Sequence, residues 1–284
     1  MGALDLLDDW PVPTVAAAVI GPAGIRATHG DTEHVFRLAS VTKPLVARAA
    51  QIAVEEGVFD LDTPAGPPGA TVRHLLAHAS GGAMQSGAGG ERSDGGYEVL
   101  AAPGARRIYS NHGFTLLAEA LQDAADIEFG QYLGEAVFEP LGMTATSLRG
   151  GAAAAGYGAY SSVTDLARFA ADLLRPGLVS AGLHAEATTV QFPGLNGVLP
   201  GFGAQRPNDW GLGFEIRAEK KPHWTGAQNS EFSYGHFGQS GTFLWVDPLA
   251  DLAFVVLTDR DFGDWTYELW PAISDGVLRE FGAH

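Results

Sequence analysis

The chain has 284 residues, of which 46% are hydrophobic and 18% charged, a balance typical of a globular protein with one large domain or two lobes. Its formal net charge of −16 argues against binding to nucleic acid and to anionic membranes, because both attract basic surfaces. The absence of cysteine excludes disulfides, thiolate nucleophiles and thiolate metal ligands.

The amino-terminal segment predicts a cytoplasmic protein. Asp5, Asp8 and Asp9 precede an apolar run at residues 15–20, and no lysine or arginine lies before that run. A secretory signal would begin with a positively charged region, and a membrane span would need about 20 apolar residues. We therefore expect no signal peptide and no membrane association.

The predicted elements place strands near both ends of the chain and helices between them. Strands are predicted first, at residues 15–20 and 25–28. Apolar periodicity then predicts helices at residues 40–56, 71–80, 114–125, 129–138 and 161–175. Further strands are predicted at residues 210–217, 241–248 and 251–260, before a last helix at residues 270–282.

This order predicts two lobes, because strands from the two chain ends can share one sheet. We expect residues 1–60 and 195–284 to form the lobe that contains the sheet, and residues 61–194 to form an inserted helical lobe. The fold class is therefore α/β, in the mixed α+β sense. A crevice between two such lobes is the usual place for a binding site.

The first candidate for chemistry is Ser40-Val41-Thr42-Lys43, at the start of a predicted helix. Positions three apart lie on one helix face. A serine hydroxyl needs a neighbouring base, and lysine can serve when burial and the positive helix end lower its pKa. Arginine cannot, because it stays charged. A capping Ser40 with a solvated Lys43 is the alternative, and this pair alone does not decide between them.

Two further segments have both structural and functional interpretations. Tyr109 and Asn111 precede a predicted helix, where they could cap and pack, or act as an acid/base and a substrate-orienting amide. His236-Phe237-Gly238 approaches a predicted strand, with glycines that let backbone N–H groups come close to a ligand. A bulged edge strand with a solvated His236 is the structural interpretation.

The three segments together resemble the serine β-lactamase and penicillin-binding-protein superfamily in order and rough spacing. The Tyr-x-Asn form resembles the class C branch, with its D-alanyl-D-alanine peptidase and carboxylesterase relatives. Further similar segments are FDLDTP, HLLAHASGG, FEPLGM, YSSVTDLARF and WGLGF. The resemblance runs from about residue 15 to residue 278. It implies a β-lactamase-like fold, with an antiparallel sheet flanked by terminal helices and an inserted helical lobe.

The resemblance also implies roles for individual residues. Ser40 would be the acylated nucleophile, and Lys43 and Tyr109 would share the role of general base. Asn111 would contact the acyl side of the substrate. The backbone N–H groups of Ser40 and Gln239 would form the oxyanion hole, and His236 and Gly238 would line the strand edge of the cleft. No metal or cofactor is expected.

One departure from the family pattern affects the substrate. The third motif usually reads Lys-Thr-Gly, and its lysine faces the substrate carboxylate, whereas this chain has His236-Phe237-Gly238. A neutral histidine supplies much less positive charge, and Phe237 lacks a hydroxyl. We therefore expect a serine hydrolase that acts through an acyl-enzyme on esters or small amides. The alternative is a β-lactamase or D-alanyl-D-alanine carboxypeptidase.

Three rival interpretations remain. Ser240, in a near match to Gly-x-Ser-x-Gly, could be the nucleophile, but that motif needs a following helix and a strand is predicted there. His74 and His78 are spaced to share a helix face and could hold a metal, although the glutamate of the zinc-protease pattern is missing. A catalytically silent relative would bind small molecules without turnover. The sequence does not specify the oligomeric state.

Overall fold

The computed structural model describes residues 2–85 and 98–282. Its centre is a six-stranded antiparallel sheet in the order β2-β1-β11-β10-β9-β8. The strands are β1 Val15–Gly21, β2 Gly24–His29, β8 Glu215–Ile216, β9 Tyr234–Gly238, β10 Thr242–Asp247 and β11 Leu252–Thr258. Strands from both chain ends meet at β1 and β11, where Val15 lies opposite Thr258.

Helices follow the first two strands and cover the sheet. They are α1 Thr42–Glu55, α2 Val72–Leu76, α3 Asn111–Ala125, α4 Phe129–Leu133, α5 Val163–Leu174, α6 Ala181–Ala187 and α7 Thr266–Phe281. A small sheet joins β3 Phe36–Arg37, β5 Ala159–Ser161 and β4 Ser147–Leu148, and a hairpin joins β6 Gly197–Leu199 to β7 Gly203–Gln205.

Successive side chains of a strand point to opposite faces of the sheet. Both faces are buried, because other elements pack against each of them. On one face, Ala18 and Val255 belong to the larger core, which contains the apolar sides of α1, α3 and α5. On the other face, Val19 and Phe254 pack with α7 and the 3₁₀ turn Ala3–Asp9. This two-sided burial explains why β10 and β11 are almost entirely apolar.

The predicted strands near the two chain ends are present, with one reduced to a short piece. Residues 210–217 form a strand only at β8, because two glycines bend the chain before it. A Cβ on Gly211 would lie 2.1 Å from the carbonyl oxygen of Ala187, and Gly213 has a φ of +90°. The β6–β7 hairpin has no counterpart in the prediction, whereas β9 corresponds to the edge strand expected around His236 and Gly238, although it is buried.

The predicted helices are present with shifted ends. The helix expected from residue 40 begins as a 3₁₀ turn at Ala39–Val41, and α1 follows it. The helix expected at residues 71–80 ends at Leu76, and His78 has a φ of +52°. Helix α5 begins after Ser162, whose side chain accepts the N–H of Asp165 at 3.2 Å.

The proposed division into lobes at residues 60 and 195 stays a prediction. Helix α5 falls within the predicted helical segment, yet it packs directly on β1 and β11. Within residues 2–85 and 98–282, no helix combines the length and apolar character needed to cross a bilayer.

Candidate active site

Ser40 and Lys43 lie together at the point where the 3₁₀ turn becomes α1. The Lys43 Nζ lies 3.4 Å from the Ser40 Oγ. The turn brings the serine to the end of the small β3 strand, while Lys43 occupies the first turn of the helix. A nucleophile and an amine are thus within reach of each other, as the spacing predicted.

The surroundings of Lys43 favour a neutral amine. The side chain is fully buried, and burial holds its pKa well below the ordinary value of 10.5. Its Nζ lies 2.6 Å from the Asn111 Oδ1 and 2.7 Å from the carbonyl oxygen of Gly156. In the neutral form of the amine, these two oxygens accept both of its hydrogens, and the lone pair faces the Ser40 hydroxyl.

Gly156 explains how a backbone carbonyl reaches Lys43. A Cβ on Gly156 would lie 3.1 Å from the backbone oxygen of Asn111 and 3.2 Å from its Oδ1. The absence of a side chain therefore allows the segment before β5 to press against the start of α3. No motif in the sequence marks this residue, since the contribution comes from its main chain.

Tyr109 lies just before α3, which Ser110 caps by accepting the N–H of Gly113 at 2.9 Å. Burial raises the pKa of Tyr109 above its ordinary value, although a hydrogen bond with the Ser40 side chain opposes that rise. Its hydroxyl lies 3.5 Å from the Nε2 of His236. The hydroxyl of Tyr109 therefore lies between the serine and the histidine, and it keeps its proton at neutral pH.

His236 is a neutral base in the buried strand β9. Burial lowers its pKa to about 3. Its Nδ1 lies 2.6 Å from the carbonyl oxygen of Phe237, which fixes the ring hydrogen on Nδ1. The unprotonated Nε2 therefore faces Tyr109. This position supplies a hydrogen-bond acceptor in place of a positive charge.

A cavity of about 360 Å³ opens in front of these groups. Its wall includes Ser40, Tyr109, Asn111, His236, Gln239 and Trp210. The first five are predicted site residues, and the structure brings them together with Lys43. Trp210 lines the cavity and also packs in the core on one face of the sheet.

Gly238 allows β9 to lie close to the turn that carries Ser40. A Cβ on Gly238 would lie 2.3 Å from the carbonyl oxygen of Leu38 and 3.3 Å from the Cβ of Ala39. A larger residue would push β9 away from the turn that carries Ser40. Gly238 thus brings Gln239, at the start of the β9–β10 turn, to the same cavity wall as Ser40.

Glu215 also lines the cavity, although no sequence motif indicated it. Its carboxylate accepts hydrogen bonds from Trp224 Nε1 at 3.0 Å and from His223 Nε2 at 2.9 Å, and it is paired with the buried Lys220. Burial would raise the pKa of Glu215, but His223 and Lys220 together hold it below its ordinary value. A negative charge is therefore present beside the cavity. The position of Glu215 could not be predicted, because the strand that carries it has only two residues.

The rival sites are not supported by the described geometry. The Ser240 hydroxyl donates to the carbonyl oxygen of Arg37 at 2.7 Å, and strand β10 follows it instead of a helix. His74 stacks on Phe192 at 4.4 Å between ring centroids. Among residues 2–85 and 98–282, no group of three or more His, Cys, Asp or Glu side chains could hold a metal ion.

An antiparallel sheet covered by helices, with a serine, a buried lysine and a tyrosine at one cavity, defines a serine hydrolase of the β-lactamase superfamily. The family model described as Beta-lactamase matches residues 6–274, and the chain belongs to that family. The predicted superfamily, fold class and enzyme class are confirmed, while the class C branch stays a prediction.

Solved structures show the same fold over nearly the whole chain. A crystal structure described as a beta-lactamase from Mycobacterium bovis is 70% identical, with a TM-score of 0.94, and covers 99% of this chain and 100% of that chain. EstCE1, described as a hydrolase with promiscuous acyltransferase activity, is 18% identical, with a TM-score of 0.78, and covers 97% of this chain and 96% of that chain.

One curated relative matches over a shorter stretch. Penicillin-binding protein 4* of Bacillus subtilis strain 168 is 28% identical over an alignment 138 positions long, which covers 40% of this chain. The match spans 31% of that protein's length.

Proposed function

We propose that this protein hydrolyses esters or small amides through an acyl-enzyme on Ser40. The observation that carries the proposal is the buried Lys43 amine, whose hydrogens go to Asn111 and Gly156 while it faces the Ser40 hydroxyl at 3.4 Å. A serine hydroxyl beside a neutral base is the arrangement that covalent catalysis requires.

The acylation step follows from this geometry. Lys43 takes the proton of Ser40 as the Oγ attacks the carbonyl carbon of the substrate. The N–H groups of Ser40 and Gln239 stabilise the negative oxygen that forms. Tyr109, which its raised pKa keeps protonated, donates to the departing alkoxide or amine and is reprotonated through Lys43. Asn111 holds Lys43 in place and contacts the acyl group.

Deacylation reuses the same groups in reverse. The Lys43–Tyr109 pair accepts a proton from a water molecule, which attacks the acyl carbon. The Ser40 Oγ leaves and regains its proton. The same oxyanion hole serves both steps, because each passes through a tetrahedral intermediate.

Two features of the cavity favour substrates without a carboxylate. His236 presents an unprotonated nitrogen where the family lysine would be, and its pKa of about 3 keeps it neutral. The ionised Glu215 lies in the same wall. At these two residues a substrate carboxylate would meet an acceptor and a negative charge, although Lys220 offsets part of the latter. The one cation that lines this cavity among the described residues, Arg37, is paired with Asp261.

A second candidate function is β-lactam hydrolysis. It is favoured by the 70% identity to the Mycobacterium bovis protein described as a beta-lactamase. D-alanyl-D-alanine peptidase activity and a silent binding role are the remaining alternatives. The cytoplasmic location stays a prediction, as does the branch within the superfamily.

One substrate panel tests the proposal. Short-chain p-nitrophenyl esters, a chromogenic cephalosporin and a D-alanyl-D-alanine peptide are assayed with the wild type, Ser40→Ala and the matched control Ser240→Ala. We expect ester turnover in the wild type and in Ser240→Ala, and loss of turnover in Ser40→Ala by at least about 10³-fold. Cephalosporin turnover well above ester turnover would favour the second candidate.

Mass spectrometry of the protein mixed with each substrate separates the remaining outcomes. A transient mass increase that Ser40→Ala lacks identifies the acyl-enzyme. A stable, stoichiometric adduct without turnover would support the silent binding role. Ester turnover that survives in Ser40→Ala would contradict the mechanism.

A further inference from the structure

His78 lies directly behind Tyr109 and is bonded to the main chain on both sides of it. The carbonyl oxygen of His78 accepts the N–H of Ile108 at 2.9 Å. The Nδ1 of its ring accepts the N–H of Ser110 at 3.1 Å. A single residue therefore holds the backbone N–H groups of both neighbours of Tyr109.

The ring of His78 also packs against the tyrosine ring. The centroids of the His78 and Tyr109 rings are 4.5 Å apart, and the edge contact with Trp210 has a centroid distance of 4.6 Å. Phe114 lies at 5.3 Å. His78 is only 1% exposed, so its ring cannot move without displacing these neighbours.

Two features of His78 are energetically unfavourable: its backbone conformation and a ring N–H without a hydrogen-bond acceptor. Its φ of +52° lies in the left-handed region, which few residues other than glycine adopt. Burial lowers its pKa well below the ordinary value, so the ring is neutral. Because Nδ1 accepts a hydrogen bond, the ring hydrogen is on Nε2, and this buried atom has no hydrogen-bond partner among the described residues. Strain and an unsatisfied donor of this kind accumulate where a residue serves function more than stability.

We propose that His78 is a positioning residue for Tyr109. It fixes the tyrosine through the peptide groups of Ile108 and Ser110 and through ring contact, so that the hydroxyl stays between Ser40 and His236. The inference rests on the proposed role of Tyr109 as the proton carrier. It also gives a role to the HLLAHASGG segment, to which the proposed reaction assigns no step.

The test compares three variants in ester turnover. His78→Leu fills the space but cannot accept the Ser110 N–H. His78→Asn keeps an acceptor close to the backbone and tolerates a left-handed φ. His74→Leu is the matched control, because it makes the same change in the same segment at a residue that stacks on Phe192.

We expect His78→Leu to lower kcat by about 10- to 100-fold with KM changed less than about twofold, because a small displacement of a reacting group slows chemistry more than binding. We expect His78→Asn to restore most of kcat and His74→Leu to match the wild type. The pH profile of kcat in His78→Leu should also shift, since the hydroxyl loses its fixed hydrogen-bond partners, whereas a purely structural role would leave it in place.

Two outcomes would overturn the positioning role. One is a folded His78→Leu enzyme with the kcat of the wild type. The other is parallel loss of kcat and melting temperature in both His78 variants with an unchanged pH profile. If His78→Leu does not fold, His78→Ala is judged by the same measurements. Failure of the proposed function is distinct, because then the wild type turns over no ester or Tyr109→Phe keeps full activity.

Discussion

Lys43 shows how burial changes the chemistry of one residue. In water its amine would be charged and could not accept a proton. Here it is enclosed by Asn111, the Gly156 carbonyl and the ring of Tyr109, whose centroid lies 4.5 Å from Nζ. Burial lowers the pKa of the amine, and the two carbonyl acceptors orient it toward Ser40. The same lysine on an exposed helix would be only a solvated charge.

We predict that Lys43→Arg abolishes ester hydrolysis, since arginine stays charged and cannot accept the Ser40 proton. A general base contributes about 10²- to 10⁴-fold, so kcat/KM should fall by at least about 10²-fold. The exposed Lys221→Arg is the control for the substitution itself. A folded Lys43→Arg enzyme with more than about a tenth of wild-type kcat/KM would contradict the role of the amine.

The lowered pKa of Lys43 also predicts the direction of the pH dependence. The active form is the neutral amine, so kcat/KM should rise with pH and level off above the pKa of the amine. That pKa lies well below 10.5, so the plateau should be reached below the range of a free lysine. Stopped assays with p-nitrophenyl acetate across the pH range measure it. A value of kcat/KM that stays flat or falls over the whole pH range of the assay would argue against a lysine base.

Substitution of His236 tests how the cavity treats carboxylates. We predict that His236→Lys raises cephalosporin or peptide turnover relative to ester turnover by about tenfold, the effect of about 1.4 kcal/mol from a charge-assisted contact. His236→Gln, which stays neutral, should leave that ratio unchanged. An equal change of this turnover ratio in both variants would show that charge at position 236 does not govern the preference for substrates with a carboxylate.

At the scale of elements, α1 is anchored to α5 beneath the site. Arg48 of α1 and Asp172 of α5 are both buried, and the Arg48 Nε lies 3.2 Å from the Asp172 Oδ2, in ion-pair range without hydrogen-bond geometry. The Oδ1 of Asp172 accepts the N–H groups of Gly177 and Leu178 at 2.8 and 2.9 Å. The helix that carries Lys43 is thereby fixed to a helix that packs on the sheet.

We predict that Asp172→Asn lowers the free energy of unfolding by about 3–5 kcal/mol, because it leaves the buried Arg48 charge without its partner. The asparagine keeps an oxygen for the N–H groups of Gly177 and Leu178. Denaturant titration measures the loss. The double variant Arg48→Met with Asp172→Asn should recover much of it, and an equal loss in both variants would assign the effect to the Asp172 cap instead.

Elements with strong periodic patterns could be predicted from the sequence, and those fixed by distant contacts could not. The apolar stripes of α3 and α5 and the buried run of β11 follow directly from their residues. Helix α2 stops early because the His78 backbone turns into the left-handed region, and β8 is short because Gly211 and Gly213 fit against other segments. Such close approaches depend on tertiary structure, which local propensity does not contain.

The same distinction holds for the candidate site. Ser40, Lys43, Tyr109 and Asn111 could be found because their side chains occur in motifs. The carbonyl of Gly156 and the carboxylate of Glu215 could not, since one belongs to the main chain and the other reaches the cavity through a short strand. The neutral state of His236 was expected from its ordinary pKa, but the fixed tautomer required the contact with the Phe237 carbonyl.

At the scale of the whole molecule, buried histidines should make the fold sensitive to acid. Burial lowers the pKa of His236 to about 3 and that of His184 to about 4. In the unfolded chain both would bind a proton near pH 6.5. Between about pH 6.5 and these lowered pKa values, the unfolded state therefore binds more protons than the folded state. The stabilisation is present above about pH 6.5 and is lost as pH falls toward 4 and 3.

We predict that the free energy of unfolding decreases from pH 7 to pH 5 in moderate salt. Protonation of the acidic surface also reduces repulsion within a chain of net charge −16, which stabilises the fold as pH falls. Moderate salt screens this repulsion, so that the effect of the histidines can be measured. Urea titrations at several pH values measure the change, and His184→Gln should weaken it. A constant free energy over this range would contradict the proposed linkage.

The position of β1 between β2 and β11 has a consequence for synthesis on the ribosome. The β1–β2 hairpin can form as soon as its own residues have left the exit tunnel, but the other edge of β1 waits until the distant segment Leu252–Thr258 has been synthesised. Until then an apolar strand has an unpaired edge, which favours association between nascent chains. The sheet against which α5 packs cannot close until Leu252–Thr258 has emerged, well after α5 itself.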